Sequence, residues 1–225
     1  MIYSEWLPWY EEICTHFRFN PHDDFRSSLL LDDLAKIKSS SYSFRRQFIG
    51  KDIKVVGNGP NLSAILENAP RGTYFVADSA LSVYYRTLGP PDVIVTDLDG
   101  DAVLIRKCQE EGSRLVIHAH GDNIENIREI LPYINREVLC TTQNAPFGMI
   151  YNFGGFTDGD RAAYLADQAG ASSITLTGFD FMHPTGKPGG DPVTKAEKLK
   201  YAERLLENLS VSRGKHLIRS DFIEI

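Results

Sequence analysis

The chain has 225 residues, 42% of them hydrophobic, which suits one domain with a full core and a small appended piece. Its net charge of −6 argues against nucleic-acid binding, and its three widely spaced cysteines argue against a disulfide framework or a thiolate zinc site. No apolar run is long enough to cross a membrane, and the N-terminus lacks the pattern of a signal peptide, so we expect a cytoplasmic protein.

Residues 1–50 carry aromatic and charged side chains at helical spacing. Pro21 and Asp23 mark a helix start before the segment FRSSLLLDDLAKI. The pattern predicts a helical N-terminal extension over 1–50.

Short apolar strands alternate with amphipathic helices after this extension. The predicted strands are DIKVVG, TYFVAD, DVIVTD, RLVIHA, EVLCTT, SITLTG and HLIRS, and the helices include DAVLIRKCQEEG, DNIENIREILPYI, GDRAAYLADQAG and TKAEKLKYAERLLENL. This alternation predicts an α/β fold with a doubly wound, mostly parallel Rossmann-like sheet, which forms the catalytic domain over 51–225. Because ligands of such sheets bind beyond the carboxyl ends of the strands, the polar residues that follow each strand are the candidate site.

The segment GNGPNL follows the first predicted strand, where the chain turns into a helix. Glycines at such a turn let backbone amides approach a phosphate, so we favour a mononucleotide site at Gly57, Asn58, Gly59, Pro60 and Asn61. Two alternatives stay open: a plain structural turn, and a dinucleotide site in which Asp78 binds a ribose. The dinucleotide fingerprint is incomplete, because Leu62 stands where its third glycine would be.

Asp97 and Asp99 stand two residues apart in DLDGD, directly after the strand VIVT. Carboxylates that converge at a strand end suit Mg²⁺, which prefers oxygen ligands and keeps waters for substrate phosphates. An Asp-Gly turn with solvated acids is the structural alternative. A nucleophilic Asp97, as in haloacid-dehalogenase phosphatases, is disfavoured because two strands precede it and Asp101 follows the glycine.

The segment HAHGDN offers two imidazoles and a carboxylate. His118 and His120 lie on one face if the strand continues, a spacing that would also suit a transition metal. Since no third histidine partner is evident, we favour hydrogen bonds or substrate contacts for both. Asp122 is a candidate magnesium ligand, and capping of the helix that begins NIENI is an equally weighted alternative.

Another helix start, FTDGDRA, combines acids with an arginine. Thr157, Asp158 and Asp160 precede Arg161, which suggests carboxylates for metal or ribose and a guanidinium for phosphate. Acids favoured only by the helix dipole are the alternative.

The stretch Met182–Lys195 is rich in glycine and proline and predicts a mobile loop. If it closes, Lys187 or Lys195 would neutralise a polyphosphate. The alternative is that Lys195, Lys198 and Lys200 form a solvated helix face.

Taken in order, VADSA, PPDVIVTDLDG and FTDGDRA resemble motifs of the thiamine pyrophosphokinases. Asp78 matches the first acid of that series, and Asp97 with Asp99 matches the central pair. Thr157 with Asp158 matches the acidic helix start. The resemblance therefore covers two strand ends and one helix start.

The departures from that pattern point to a related group. Ser79 and Ala80 replace glycines, and Gly100 replaces a serine. The segments GNGPNL and HAHGDN fit better with the archaeal-type 6-hydroxymethyl-7,8-dihydropterin pyrophosphokinases. The chain from about Ile53 to Asp180, together with the helical extension, is similar to that family.

This resemblance implies that a hydroxymethyl oxygen attacks the β-phosphorus of ATP and that AMP is released, with Mg²⁺ as the cofactor. It implies a catalytic set of Asp97, Asp99 and Arg161 and a metal set of Asp97, Asp99 and Asp122. Besides GNGPNL, the implied ATP contacts are Asp78, Ser79, Thr157, Asp158 and Lys187. The expected substrate contacts are His118, His120, Gln143, Asn144 and Asp180, with Phe147, Phe156 and Phe179 as stacking candidates.

The expected partners are ATP and a heterocyclic alcohol, most readily a pterin, with no nucleic acid and no membrane; a homodimer is left open. Thiamine pyrophosphokinase activity is an alternative, because both substrates present a primary hydroxyl on a heterocycle. A metal-dependent nucleotide-sugar glycosyltransferase is a second, since paired aspartates also bind the metal of such donors. A non-catalytic nucleotide sensor is a third.

Overall fold

The computed structural model describes residues 1–183, 185, 191–215 and 222–224. The helices are α1 (Tyr3–Phe17), α2 (Pro21–Leu34), α3 (Ser41–Phe48), α4 (Leu62–Glu67), α5 (Asp78–Leu88), α6 (Ala102–Glu110), α7 (Ile124–Ile130), α8 (Asp158–Gln168) and α9 (Pro192–Ser212). The strands are β1 (Asp52–Val56), β2 (Thr73–Ala77), β3 (Val93–Thr96), β4 (Arg114–Ala119), β5 (Val138–Thr142), β6 (Ile150–Tyr151), β7 (Ser173–Thr177) and β8 (Phe222–Glu224). Single 3-10 turns at Gly121–Asn123 and Leu131–Tyr133 flank α7.

The strands form one sheet in the order β6-β5-β4-β3-β2-β1-β7-β8. The first seven strands pair in parallel, and β8 pairs antiparallel to β7. The predicted α/β fold with a mostly parallel sheet is therefore confirmed. The short strands β6 and β8 were not predicted, and the predicted strand HLIRS lies outside the described residues.

Strand order reverses at β1, which lies between β2 and β7. Chains that leave β1 and β7 at their carboxyl ends cross to opposite faces of the sheet, which opens a crevice between them. The topology alone therefore marks the carboxyl ends of β1 and β7 as the place for a ligand.

Helices cover both faces of the sheet, because successive strand residues point to opposite sides. Val55, Phe75 and Val95 belong to one core with the helices α1, α3, α8 and α9. Val56 and Val76 belong to the second core, with α2 and α4 to α7. The three cysteines are free and buried in these cores, as expected for structural thiols.

The N-terminal helices are joined to the sheet. Trp6 and Ile13 of α1 are fully buried in the same cluster as the β1 residue Ile53. After α2, the Ser39 amide donates to the Val138 carbonyl of β5 at 2.7 Å. The helical character predicted for this region is confirmed, while the domain limit between residues 50 and 51 stays a prediction.

The last long helix begins earlier than the glycine-rich stretch Met182–Lys195 had suggested. Asp191 accepts hydrogen bonds from the amides of Val193 and Thr194, so that α9 starts at Pro192 and Lys195 is helical. Lys187 lies outside the described residues. Among the described helices, α9 included, none combines the length and apolar character needed to cross a bilayer.

Replacing Ile13 by Ala tests whether α1 belongs to the common core. Ile13 is completely buried, so loss of its side chain should lower the free energy of unfolding by about 2–5 kcal/mol. Urea unfolding should still show one transition. The control Glu11→Ala, on the exposed side of the same helix, should change stability by less than about 0.5 kcal/mol. Equal effects of the two variants would contradict the shared core.

Candidate active site

A cavity of about 570 Å³ lies at the carboxyl ends of the strands. Its walls come from the segments that follow β1, β2, β3, β4 and β7, from the start of α8, and from one side of α9. The polar strand ends predicted to share one edge are therefore brought together. Its size matches that of small-molecule sites.

Three carboxylates converge at this edge. Asp78 follows β2, and Asp97 and Asp99 follow β3; ligand oxygens from the three residues lie within 4.8 Å of one another. The Asp78 carboxylate also accepts a hydrogen bond from the Thr96 hydroxyl. Gly100 has to be glycine, because a Cβ there would overlap the Asp78 carboxylate. We call Asp78, Asp97 and Asp99 the acid cluster.

The conformation of the loop after β3 brings the carboxylates of Asp97 and Asp99 close together. Leu98 has a left-handed backbone with φ of 65°, which is uncommon for a residue with a side chain. Its side chain is buried, and its amide donates to the Thr96 hydroxyl at 2.7 Å. The Asp99 amide in turn donates to Asp97 Oδ1 at 3.2 Å. Packing therefore holds a turn that costs about 1–3 kcal/mol of strain.

The acid cluster fits a hard divalent cation. Its donors are all carboxylate oxygens, which Mg²⁺ prefers; Asp97 and Asp99 line the cavity, which has room for substrate oxygens, whereas Asp78 is buried and does not line it. Asp122, also predicted as a ligand, lines the same cavity but is not one of the three clustered acids.

Negative charge in the cavity is partly offset by nearby bases. Burial alone would raise the pKa of Asp97, but hydrogen bonds with His120 and Asp99 and the charge of Arg161 outweigh it and hold that pKa well below its ordinary value. His120 Nε2 lies 3.1 Å from Asp97 Oδ2. Burial and the charge of Asp97 raise the pKa of Asp158 well above its ordinary value. Of these two acids, Asp97 therefore has the lower pKa.

The start of α8 supplies the arginine. Arg161 Nη1 donates to Asp158 at 3.2 Å, and Nη2 donates to Gln143 Oε1 at 3.3 Å. Gly155 has φ of 89°, and a Cβ there would lie 2.6 Å from the Arg161 Cα.

Thr157 lines the cavity, whereas Asp160 is fully buried and caps the helix by accepting the Thr157 amide at 2.7 Å. Asp160 therefore has a structural role.

Gly57, Asn58 and Gly59 of the segment after β1 line the cavity, and the amides of the two glycines are hydrogen-bonded within the protein. The Gly57 amide donates to the Thr177 carbonyl at 2.9 Å, and the Gly59 amide donates to the Gly178 carbonyl at 2.6 Å. Both glycine amides are therefore engaged in this structure, and their contact with a phosphate stays a prediction. Glycine is required here for close approach, since a Cβ at Gly59 would lie 2.7 Å from the Gly178 carbonyl oxygen.

Only some of the other predicted nucleotide contacts line the cavity. Asn58 and Ser79 line the cavity together with Gly57 and Gly59. Pro60 and Asn61 are exposed and do not line it.

Only some of the predicted substrate contacts line the cavity. His120, Gln143 and Asp180 line the cavity. His118 is buried beneath it, with Nδ1 3.1 Å from the Thr141 hydroxyl. Asn144 lies outside the cavity and donates to the Pro21 carbonyl at 2.8 Å.

The aromatic candidates are likewise split. Phe156 and Phe179 line the cavity. Phe147 does not; its ring packs against Phe25 of α2, with centroids 5.9 Å apart.

Several cavity residues were not among the predicted site residues, including Phe19, Phe181 and Lys198. Lys198 was interpreted as part of a solvated face, yet its ammonium lies 5.6 Å from the Phe19 ring and 5.8 Å from the Phe156 ring. Burial lowers its pKa. The spacing of Lys195 and Lys198, three residues apart, was a usable signal, because such residues share one face of a helix.

The Lys198 ammonium shows no hydrogen bond or ion pair to another described residue and lies over the two rings, while the charges of Asp122 and Asp97 act on it without direct contact. A half-buried cation of this kind is costly unless an anion joins it. The walls of the cavity therefore combine Asp97 and Asp99 of the acid cluster with the cations of Arg161, Lys195 and Lys198.

Fold and site together define a Rossmann-like α/β protein with an acid-lined cavity at its topological switch point. The family model for 6-hydroxymethylpterin diphosphokinase MptE-like proteins matches residues 28–186. The chain belongs to this family, as its motifs had indicated.

Relatives support this membership over nearly the whole chain. A 6-hydroxymethyl-7,8-dihydropterin pyrophosphokinase of Pyrococcus furiosus is 38% identical over 224 residues, covering 92% of this chain and 94% of the relative. Proteins of the same name from Methanothermobacter thermautotrophicus and Methanocaldococcus jannaschii are 36% and 32% identical, covering 90% and 93% of this chain and 92% and 96% of the relatives.

Metal binding should depend on the acid cluster. We expect Asp97→Asn and Asp99→Asn each to weaken Mn²⁺ binding at least about tenfold, because each removes one charged ligand. Electron paramagnetic resonance of free Mn²⁺ would measure this. The control Asp101→Asn changes an exposed helix cap outside the cluster and should bind normally. Unchanged affinity in both cluster variants would contradict the site, and Asp122→Asn tests whether that residue joins it.

Proposed function

We propose that this protein is a Mg²⁺-dependent pyrophosphokinase that transfers diphosphate from ATP to the hydroxymethyl group of 6-hydroxymethyl-7,8-dihydropterin and releases AMP. The observation that carries this proposal is that Asp97 and Asp99 of the acid cluster line the same cavity as Arg161 and Lys198. Carboxylates suited to Mg²⁺ and cations suited to phosphates are the parts that a diphosphate transfer needs.

In the proposed reaction, the pterin hydroxyl oxygen forms a bond to the β-phosphorus of ATP. The bond between that phosphorus and the α,β-bridging oxygen breaks, and AMP leaves with the oxygen. The hydroxyl proton is released to solvent. Such a transfer needs positioning and charge neutralisation more than covalent help from the protein.

Asp97 and Asp99 would hold Mg²⁺, with Asp78 completing the set and Asp122 as a further ligand in the bound complex. Bound there, the metal would neutralise phosphate charge and lower the barrier to in-line displacement. Asp97 is suited to this role because its pKa lies well below its ordinary value, so it stays charged at neutral pH.

Arg161 and Lys198 would stabilise the charge of the transferred diphosphate. The Arg161 guanidinium is fixed by Asp158 and Gln143, and a preoriented guanidinium binds phosphate oxygens without first having to reorganise. Lys198 would gain an anionic partner that the described residues do not supply. Lys195 lines the same wall and adds positive charge.

ATP would occupy the crevice between the β1 and β7 turns. Gly57, Asn58 and Gly59 would form its wall, and side chains would carry most of the phosphate recognition because the two glycine amides are already bonded in this structure. Asp78, Ser79, Thr157 and Asp158 line or adjoin this space and remain proposed contacts. The proposed contribution of Lys187 lies outside the described residues.

The pterin would contact the polar groups that reach the cavity, His120, Gln143 and Asp180, while Phe19 and Phe156 offer aromatic faces. His118 and Asn144 would act from outside this space. We further propose that the enzyme works in the cytoplasm; assembly as a homodimer stays a prediction.

Incubation of the protein with ATP, Mg²⁺ and a candidate alcohol tests the function, with AMP measured by chromatography. We expect AMP with 6-hydroxymethyl-7,8-dihydropterin and a diphosphorylated pterin in equal amount. Preference for thiamine, or turnover only with a nucleotide sugar, would replace the proposal by another transferase. If the protein binds ATP but forms no AMP with any alcohol, a non-catalytic nucleotide sensor would replace the proposal.

The half-buried lysine should matter for this reaction. Replacing Lys198 by Met keeps its apolar stem and removes its charge, so we expect kcat to fall about 100-fold, as when one transition-state donor is lost. Lys200→Met is the matched control, since Lys200 lies on the same helix and is exposed beside Glu197. If both variants keep full activity, Lys198 has no role in charge stabilisation.

A further inference from the structure

The Gln143 side chain links the cavity to a residue that lies outside it. On one side, Gln143 Oε1 accepts from Arg161 Nη2 at 3.3 Å. On the other side, Gln143 Nε2 donates to Asp24 Oδ2 at 2.8 Å. Asp24 belongs to α2, is 2% exposed and does not line the cavity. The amide therefore bridges the N-terminal helices and the arginine.

Both oxygens of the Asp24 carboxylate accept hydrogen bonds. Its Oδ2 also accepts from the Tyr10 hydroxyl at 2.6 Å, and its Oδ1 accepts from the Gly121 amide at 2.6 Å. Gly121 directly follows His120, which bonds Asp97. One buried carboxylate thus joins α1, α2, the turn after β4 and Gln143.

The chemistry of the two partners sets the orientation of the Gln143 amide. A carboxylate only accepts hydrogen bonds, and a guanidinium only donates them. Between these groups, a carboxamide satisfies both only with its NH₂ toward Asp24 and its oxygen toward Arg161. The opposite orientation would set donor against donor and acceptor against acceptor, which is costly in a buried network.

The backbone of Gln143 is fixed from the same region. Trp6 of α1 is fully buried, and its Nε1 donates to the Gln143 carbonyl at 2.7 Å. Helices α1 and α2 therefore constrain both the main chain and the side chain of Gln143.

We propose that Asp24 is a positioning residue for the diphosphate transfer: it fixes the Gln143 amide so that its oxygen orients the Arg161 guanidinium. This inference rests on the proposed function for its effect on rate. It gives the N-terminal helices a share in the active site, although they contribute no acid to the cluster.

The test is an exchange of the carboxylate and the amide between two positions. Asp24→Asn keeps the shape of the side chain but presents an NH₂ group to Gln143, so the amide should turn its own NH₂ group toward Arg161. Since misplacing a reacting group by about 1 Å costs about 10²-fold, we expect kcat to fall about 10- to 100-fold.

The double variant Asp24→Asn with Gln143→Glu should restore kcat to within about fivefold of the original enzyme, because the new amide donates to the new carboxylate, which again accepts from Arg161. Gln143→Glu alone should be impaired, since two carboxylates then face each other. Asp33→Asn, the same change on the exposed side of α2, is the control and should be fully active.

A purely structural role predicts a different result. The disturbed bond to Tyr10 would lower the melting temperature of Asp24→Asn, and a change at Gln143 would not repair it. The proposal is overturned if Asp24→Asn keeps its kcat, or if the double variant is no faster than Asp24→Asn. If Asp24→Asn fails to fold, the comparison of Gln143→Glu with the double variant decides the same question.

Failure of the proposed function can be told apart from failure of this inference. Absence of AMP with the unaltered protein refutes the pyrophosphokinase proposal alone. The amide orientation is then read by ¹⁵N nuclear magnetic resonance: the Gln143 NH₂ protons, assigned by their loss in Gln143→Glu, should exchange slowly with solvent and become faster in Asp24→Asn. Unchanged exchange would overturn the Asp24 assignment.

Discussion

Convergence of negative charge at one end of the sheet is the constraint on which the rest of this structure depends. Ligand oxygens of Asp78, Asp97 and Asp99 lie within 4.8 Å of one another, and like charges so close repel unless cations offset them. The surroundings supply part of that balance, since His120 bonds Asp97, and Arg161 and Lys198 lie on the same cavity. In the proposed reaction, magnesium and ATP phosphates would complete it.

Sheet topology decides where this charge collects. Because strand order reverses at β1, the chains leaving β1 and β7 separate, and the crevice opens between their ends. The two turns must nevertheless pass close to each other, as the bond from the Gly59 amide to the Gly178 carbonyl shows. The glycines after β1 therefore serve the closeness of the two turns, and the polar side chains around them are left for recognition.

The N-terminal helices α1 and α2 contribute to the site through their hydrogen bonds to Gln143. Trp6 of α1 is buried in the core, and hydrogen bonds connect Asp24 of α2 through the Gln143 side chain to Arg161. A buried carboxylate that accepts three hydrogen bonds is stable only while all its donors stay in place. The same network that attaches these helices to the domain thereby orients groups in the cavity.

Sequence by itself determined the parallel α/β sheet and the edge that carries the site, because periodicity and polar strand ends report each residue's local surroundings. It also indicated the family through its acidic motifs. Tertiary structure alone decided that the Gly57 amide is already bonded, that His118 is buried and that Lys198 faces the cavity. Asp24 and Gln143 are 119 residues apart in the chain, and such a hydrogen bond leaves no local pattern, since its partners meet only when distant elements pack.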